Sequence, residues 1–199
     1  MRTLALVAAV SSTLALAACQ KAQYVDPKGN DLVVSLDKMN IQDWNQLADQ
    51  VVQQMVNSGA LARLQNQPAR LLLNSPINKT SESFDTDAIM KKIRISLLNT
   101  GKAEIIMTSG PGGRAEDPIA QSTADARAFA SGTDNQLNEK RLPDATLTAK
   151  LLEDRSRSGS TRQVAYILQM SLTDTNRETA VWEGEAQVVK QGTKSSVGF

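Results

Sequence analysis

The 199-residue chain contains no histidine. That excludes a Ser–His–Asp triad, histidine acid–base catalysis and histidine ligation of a metal. It contains one cysteine, Cys19, so no intramolecular disulfide can form. Aromatic residues make up only 4% of the chain, which leaves Leu, Val, Ile, Met and Ala to build a core. Neither sign of charge prevails: 22 Lys and Arg stand against 21 Asp and Glu, a net charge of +1. Arg2 is the only charge among residues 1–18, and without that segment the two signs are equal. The chain therefore lacks the concentrated basic field that nucleic-acid binding needs, and no nucleic-acid partner is expected. No apolar run reaches the roughly 20 residues of a membrane-spanning helix. What remains, 41% hydrophobic and 22% charged, fits one globular domain of ordinary size.

The N-terminus has the three parts of an export signal. Arg2 gives a positive start, residues 4–16 are apolar or small apart from Ser11, Ser12 and Thr13, and the segment ends Leu16-Ala17-Ala18-Cys19. This ending resembles the lipobox of bacterial lipoproteins. The resemblance implies that residues 1–18 are a signal peptide and that Cys19 takes a diacylglyceryl thioether, with a further acyl chain on the new amino group. Several acyl chains give stable anchoring where one is reversible. Gln20, in place of the Asp that retains enteric lipoproteins at the inner membrane, implies an outer-membrane location on the periplasmic face. Residues 19–31 read as the lipidated end and a flexible tether, with Pro27 and Gly29 as breakers. About 12 extended residues reach only about 40 Å.

Residues 32–190 read as the folded domain. Residues 32–36 predict a short strand. Asn40 is an N-cap, with Asp43 in the first turn of a helix over 41–57. Ile41, Trp44, Leu47, Ala48, Val51, Val52 and Met55 give it one apolar face, and Ser58-Gly59 ends it. Leu71-Leu72-Leu73 predicts a buried strand and residues 74–80 a polar loop. Asp85 caps a second helix over 86–99, with Ile89, Ile93, Leu97 and Leu98 facing inward and Gly101 as its stop. Residues 103–107 predict the next strand. Order is weak over 109–143, apart from a helix at 119–129 carrying Phe129 inward. Three extended segments follow, 145–154, 163–172 and 180–189, separated by connectors at 155–162 and 173–179. Their period of two, as in Val164, Tyr166, Leu168 and Met170, predicts an antiparallel meander. Residues 191–199 read as a frayed tail. The sum is an α+β fold, a mixed sheet with helices packed on it.

Motifs that carry chemistry are sparse. Gly110-Pro111-Gly112-Gly113-Arg114 follows a strand but lacks the Lys-Ser/Thr pair of a phosphate loop, and Pro111 removes a backbone donor. Asp85 and Asp87, or Glu183 and Glu185, could pair as carboxylates, but the first is a helix cap and the second pair sits on a solvated strand face. No catalytic residue, metal ligand or cofactor is expected. Trp44 and Trp182 fall on predicted apolar faces and read as core. Arg155, Arg157 and Arg162 flank Ser158-Gly159-Ser160. They read either as a solvated hairpin end or as a contact point for an acidic partner surface.

Several stretches together resemble a known family. They are Asp43-Trp44; the run Leu71-Leu72-Leu73-Asn74, Ile77-Asn78-Lys79-Thr80, Asp85-Thr86, Ile93-Arg94 and Leu97-Leu98-Asn99-Thr100-Gly101-Lys102; and Leu168-Gln169-Met170-Ser171-Leu172-Thr173-Asp174 followed by Val181-Trp182-Glu183-Gly184-Glu185. Over residues 33–190 their order resembles the LpoB family, outer-membrane lipoproteins that activate class A penicillin-binding proteins. Its small α/β domain is similar to one near the N-terminus of TolB. The resemblance implies a binding protein, not an enzyme: it docks on a noncatalytic domain of a bifunctional peptidoglycan synthase and stimulates glycan polymerisation and cross-linking. It also implies that Asn74 and Asn78 close loop backbone and that Trp182 packs on the helices. An assembly lipoprotein of another cell-envelope complex, with the same fold, is the alternative.

Overall fold

The computed structural model describes residues 24–27, 29, 32–108, 115–130 and 142–193. The signal segment, Cys19 and the loop at 110–114 lie outside the described residues. The chain divides into two units, Met1–Leu32 and Val33–Phe199. In the first, the Gly29 N–H closes a turn on the Asp26 carbonyl at 2.9 Å.

The second unit begins with irregular chain, not with the strand expected at 32–36. Val33 and Val34 are 90% and 61% exposed, and of this run only Leu36 enters the core. Residues 37–39 are held by side chains instead of by a ladder. Asp37 pairs with Arg155, the Lys38 carbonyl accepts from Lys190 Nζ, and the Met39 N–H donates to Glu82.

Helix α1, Ile41–Asn57, has the predicted bounds. Asp43 accepts the Asn40 N–H at 2.8 Å, satisfying a donor that the first turn would otherwise leave open. Ser58 caps the other end, and Gly59 leaves it at φ 71, a left-handed conformation that costs glycine little. Leu47, Ala48, Val51, Val52 and Met55 are buried, whereas Ile41, the first residue of the helix, is exposed.

Strand β1, Ala69–Leu73, lies between β3, Ala103–Ile105, and the start of β4, Ala145–Ser158, parallel to both. The segment expected as a polar loop contains a short strand, β2, Ile77–Lys79, parallel to Lys150–Leu152 of β4. Helix α2, Thr86–Asn99, is capped by Asp85, whose Oδ1 accepts the Asp87 N–H at 2.9 Å. Ile89, Met90, Ile93 and Leu97 form its buried face. Leu98, expected inward, is exposed: one residue past Leu97 turns it about 100° away, and Met90 takes the core position.

Helix α3, Pro118–Ala130, starts on Asp117, whose Oδ1 accepts the N–H groups of Ile119 and Ala120 at 3.1 and 3.0 Å. It buries no side chain, and Phe129, expected inward, is 91% exposed. With Ile119 and Phe129 near opposite ends and Ala between them, α3 has no stripe of large apolar residues to bury.

The meander follows: β4 Ala145–Ser158, β5 Thr161–Asp174 and β6 Thr179–Thr193. β4 and β5 run through the segment expected as a connector, leaving only Gly159 and Ser160 as the turn. The expected tail starts inside β6, which continues through residues 191–193. The six strands form one sheet of order β3-β1-β4-β5-β6, with β2 on β4. Helix α1 packs against β5, β6 and α2 over one face of the sheet. That face buries Leu147, Leu151, Tyr166, Leu168 and Leu172. The other carries Thr148, Lys150, Gln169, Glu183 and Glu185, the alternation of an antiparallel sheet with one wet face. The fold is the expected α+β arrangement of helices on a mixed sheet.

Candidate functional site

The arginine cluster is set by the β4–β5 hairpin. Gly159 adopts φ 58, which a two-residue hairpin turn requires. Ser158 and Thr161 close the turn, and one step down Arg157 faces Arg162 across the strands. The structure separates the three arginines by role. Arg155 is committed: Nη1 bonds Asp37 at 3.0 Å, Nη2 bonds the Ser81 hydroxyl at 3.1 Å, and Nε bonds Glu153. Burial works against its charge, but Glu153 and Asp37 outweigh it and hold the guanidinium above its usual range. Burial likewise pushes the Glu153 carboxyl up. Hydrogen bonds from the Ser81 N–H and hydroxyl and from Arg155 outweigh that, leaving Glu153 below the usual carboxylate range. Arg157 donates through Nε to the Gly159 carbonyl at 3.0 Å, stiffening the turn while its outer nitrogens stay in solvent. Arg162 has no ion-pair partner among the described residues. The hairpin tip thus offers two guanidinium groups, Arg157 and Arg162, and keeps the third for the fold.

Behind the hairpin lies a buried polar seam that sequence reading did not find. Lys190 Nζ meets Asp43 at 2.7 Å, with side-chain exposures of 6% and 8%. The same ammonium donates to the Lys38 carbonyl and lies 5.0 Å from the Tyr166 ring centroid, a cation–π contact. The Tyr166 hydroxyl donates to Glu82, which also accepts the Met39 N–H at 3.1 Å. Burial first, then Glu82, push the Tyr166 phenol well above its ordinary range. Asn78 closes its loop as expected: its amide donates to the Glu82 carbonyl at 2.8 Å and its oxygen accepts from the Thr80 N–H at 2.9 Å. Asn74 contributes its backbone N–H, to the Leu147 carbonyl at 2.9 Å. The groups of this seam bond one another and hold the shape of the domain. Beside it the buried Asn40 Nδ2 and Trp44 Nε1 have no hydrogen-bond partner among the described residues.

The remaining candidates take structural places. Trp44 packs on Phe84 with ring centroids 5.1 Å apart. Trp182 is half-buried against the core, and its ring covers Gly184 so closely that an added Cβ would stand 2.2 Å from it. Glu183 and Glu185 are exposed and accept from Ser171 Oγ and Gln169 Nε2 at 2.9 and 2.8 Å. Asp85 is the α2 cap, and Asp87 is exposed in the first turn. Among the described residues no three His, Cys, Asp or Glu side chains gather to hold a metal. No helix among them is long and apolar enough to cross a membrane.

Solved structures similar to this chain include the LpoB C-terminal domain from Salmonella enterica, at 21% identity and TM-score 0.45, covering 73% of this chain and 98% of that one. The LpoB C-terminal domain from Escherichia coli gives 19% identity and TM-score 0.46 over the same shares, 73% and 98%. The lipoprotein GNA1162 from Neisseria meningitidis gives 17% and 0.41, covering 62% of this chain and 84% of that one. No curated protein matches. The family model described as the peptidoglycan-synthase activator LpoB matches residues 43–188, from Asp43 in the first turn of α1 to Val188 in β6. On that match, the chain belongs to the LpoB family of peptidoglycan-synthase activators, which regulate a synthase and are not enzymes.

Proposed function

We propose that this chain is a lipoprotein, anchored through Cys19 to the periplasmic face of the outer membrane, that binds a class A penicillin-binding protein and raises its synthetic rate. The observation that carries the reading is the family match over residues 43–188. The lipobox-like Leu16-Ala17-Ala18-Cys19 supports the anchor. Arg157 and Arg162, displayed together at the hairpin tip, are the contact candidates, and Arg155 drops out because Asp37, Ser81 and Glu153 occupy it. Exposed charges at an interface rim act mainly on encounter and are screened by salt.

A second reading, an assembly lipoprotein of another envelope complex, is favoured by one observation. The tether of about a dozen residues reaches only about 40 Å, which keeps the domain near its membrane.

Binding of the chain to the organism's own class A synthases, measured across salt concentrations, separates the two. The first reading predicts binding that weakens with salt and falls at least about tenfold, about 1.4 kcal/mol, in Arg157→Glu/Arg162→Glu. Binding to none of these synthases overturns it in favour of the second. Acyl labelling should be lost in Cys19→Ala; retained label and membrane anchoring in that variant would overturn the lipoprotein assignment.

A further inference from the structure

The chain enters its folded domain near one end of the sheet. Arg155, Val164 and Lys190 stand side by side on β4, β5 and β6. The strap of residues 36–39 is fastened at that row: Asp37 takes Arg155, and the Lys38 carbonyl takes Lys190. The β4–β5 turn lies three residues beyond the row, about 10 Å at the rise of a strand. The β5–β6 turn lies past Asp174, ten residues the other way, about 33 Å. The point of entry is thus close to the hairpin tip and far from the opposite turn.

The register also fixes the faces. Side chains alternate along a strand, so Arg155, Arg157, Arg162 and Lys190 share the helix-bearing face, where the strap is held. Asp154, the one exposed acid of the hairpin, falls on the other face. The carboxylates on the strap side are taken up by the fold. Arg155 holds Asp37 and Glu153, Lys190 holds Asp43, and Glu82 accepts from the Tyr166 hydroxyl and the Met39 N–H. What this side turns outward is basic: Lys38 and Arg157 are exposed and Arg162 is partly so, none with an ion-pair partner among the described residues. Just ahead of the strap, Val33 and Val34 are 90% and 61% exposed.

We propose that this side of the hairpin, with Val33, Val34, Lys38, Arg157 and Arg162, lies on the anionic phospholipid surface of the membrane that carries the anchor. Attachment and charge together select this occupant. The anchor at Cys19 ties this end of the domain to a bilayer by at most about 40 Å of chain. A tethered surface meets its target at high effective concentration, so a contact too weak for a free domain is populated. Anionic headgroups match the outward cations, each basic group at such a surface being worth about fivefold in binding. The boundary between headgroups and acyl chains accepts the two exposed valines. The β5–β6 turn is then held away from the bilayer. The inference rests on the anchor proposed above. Arg157 and Arg162 are also the contact candidates for a synthase, so a synthase that takes them draws the tip off the lipid.

The test uses the lipidated full chain in vesicles of phosphatidylcholine, with or without phosphatidylglycerol, that carry nitroxide-labelled headgroups. Flotation with the vesicles reports the anchor. A fluorophore on Ser160→Cys reports the tip, and one on Thr179→Cys reports the opposite end; both positions are exposed. Cys19, as a thioether, takes no label. The Ser160 probe should be quenched and the Thr179 probe not, only where phosphatidylglycerol is present, and salt should relieve the quenching without releasing the chain. Arg157→Glu/Arg162→Glu should lower the ratio of docked to free tip at least about tenfold. Val33→Ser/Val34→Ser, which touches no core residue, should lower it too. A chain that floats with both probes quenched alike, a tip quenched equally without phosphatidylglycerol, or a tip unchanged in Arg157→Glu/Arg162→Glu overturns the inference alone. A chain that does not float contradicts the anchor and removes the inference with it.

Discussion

Helices α1 and α3 are of similar length, 17 and 13 residues, and both begin on a polar cap, yet they relate to the fold in opposite ways. α1 buries Leu47, Ala48, Val51, Val52 and Met55 against the sheet and α2, and its first turn ends in the Asp43–Lys190 pair. α3 buries nothing and exposes Ile119 and Phe129. Capping and periodicity make a helix locally; a stripe of large aliphatic side chains makes it part of the core. The core of this protein therefore lies under α1 and α2, against the buried face of the sheet.

Lys190→Met is the strongest way to break that contrast. It leaves the Asp43 carboxylate buried without its partner, and loss of one member of a buried pair costs about 3–5 kcal/mol. Chemical denaturation measures it. The double variant Asp43→Asn/Lys190→Met should recover part of the loss, because no charge is then stranded. Next in size, Leu47→Ala should cost about 2–5 kcal/mol, since Leu47 is fully buried. A change below about 0.5 kcal/mol at Leu47, the range of an ordinary surface substitution, would contradict the packing of α1.

Glu153 gives a smaller, pH-dependent effect. Its carboxyl sits below the usual range in the folded state, so its contribution is present above the unfolded value of 4.5 and is lost as pH falls through the folded value. The stability gap between wild type and Glu153→Gln should therefore be constant near neutrality and close in acid. A gap that widened on acidification would reverse the assignment. The smallest effect belongs to α3: Phe129→Ala should change stability by less than about 0.5 kcal/mol. A loss of several kcal/mol there would mean that α3 is packed after all.

The same physics explains what was legible in the sequence. The bounds of α1 and α2 follow from Asn40, Ser58-Gly59, Asp85 and Gly101, because caps and stops are local. The meander follows from its period of two. The errors fall where a distant partner decides. Val33 and Val34 favour a strand, but side chains of Arg155, Lys190 and Glu82 hold residues 37–39 in another path. β2 hides in a polar loop because its partner, Lys150–Leu152, lies some seventy positions on. Glu82 and Tyr166 are 84 positions apart, and Asp43 and Lys190 are 147 apart, so no local pattern could join them. The arginine cluster was found by its spacing, but spacing alone could not show that Arg155 belongs to the fold and that Arg157 and Arg162 remain at the tip.

The proposed role is activation of a synthase by a domain without chemistry of its own. The most direct measurement is the rate of glycan-strand synthesis by the organism's class A penicillin-binding proteins, with the chain added in increasing amounts. The rate should rise and saturate as the synthase is filled, the rise should be blunted in Arg157→Glu/Arg162→Glu, and the chain alone should make no glycan. A rate that does not change with any of these synthases would contradict it.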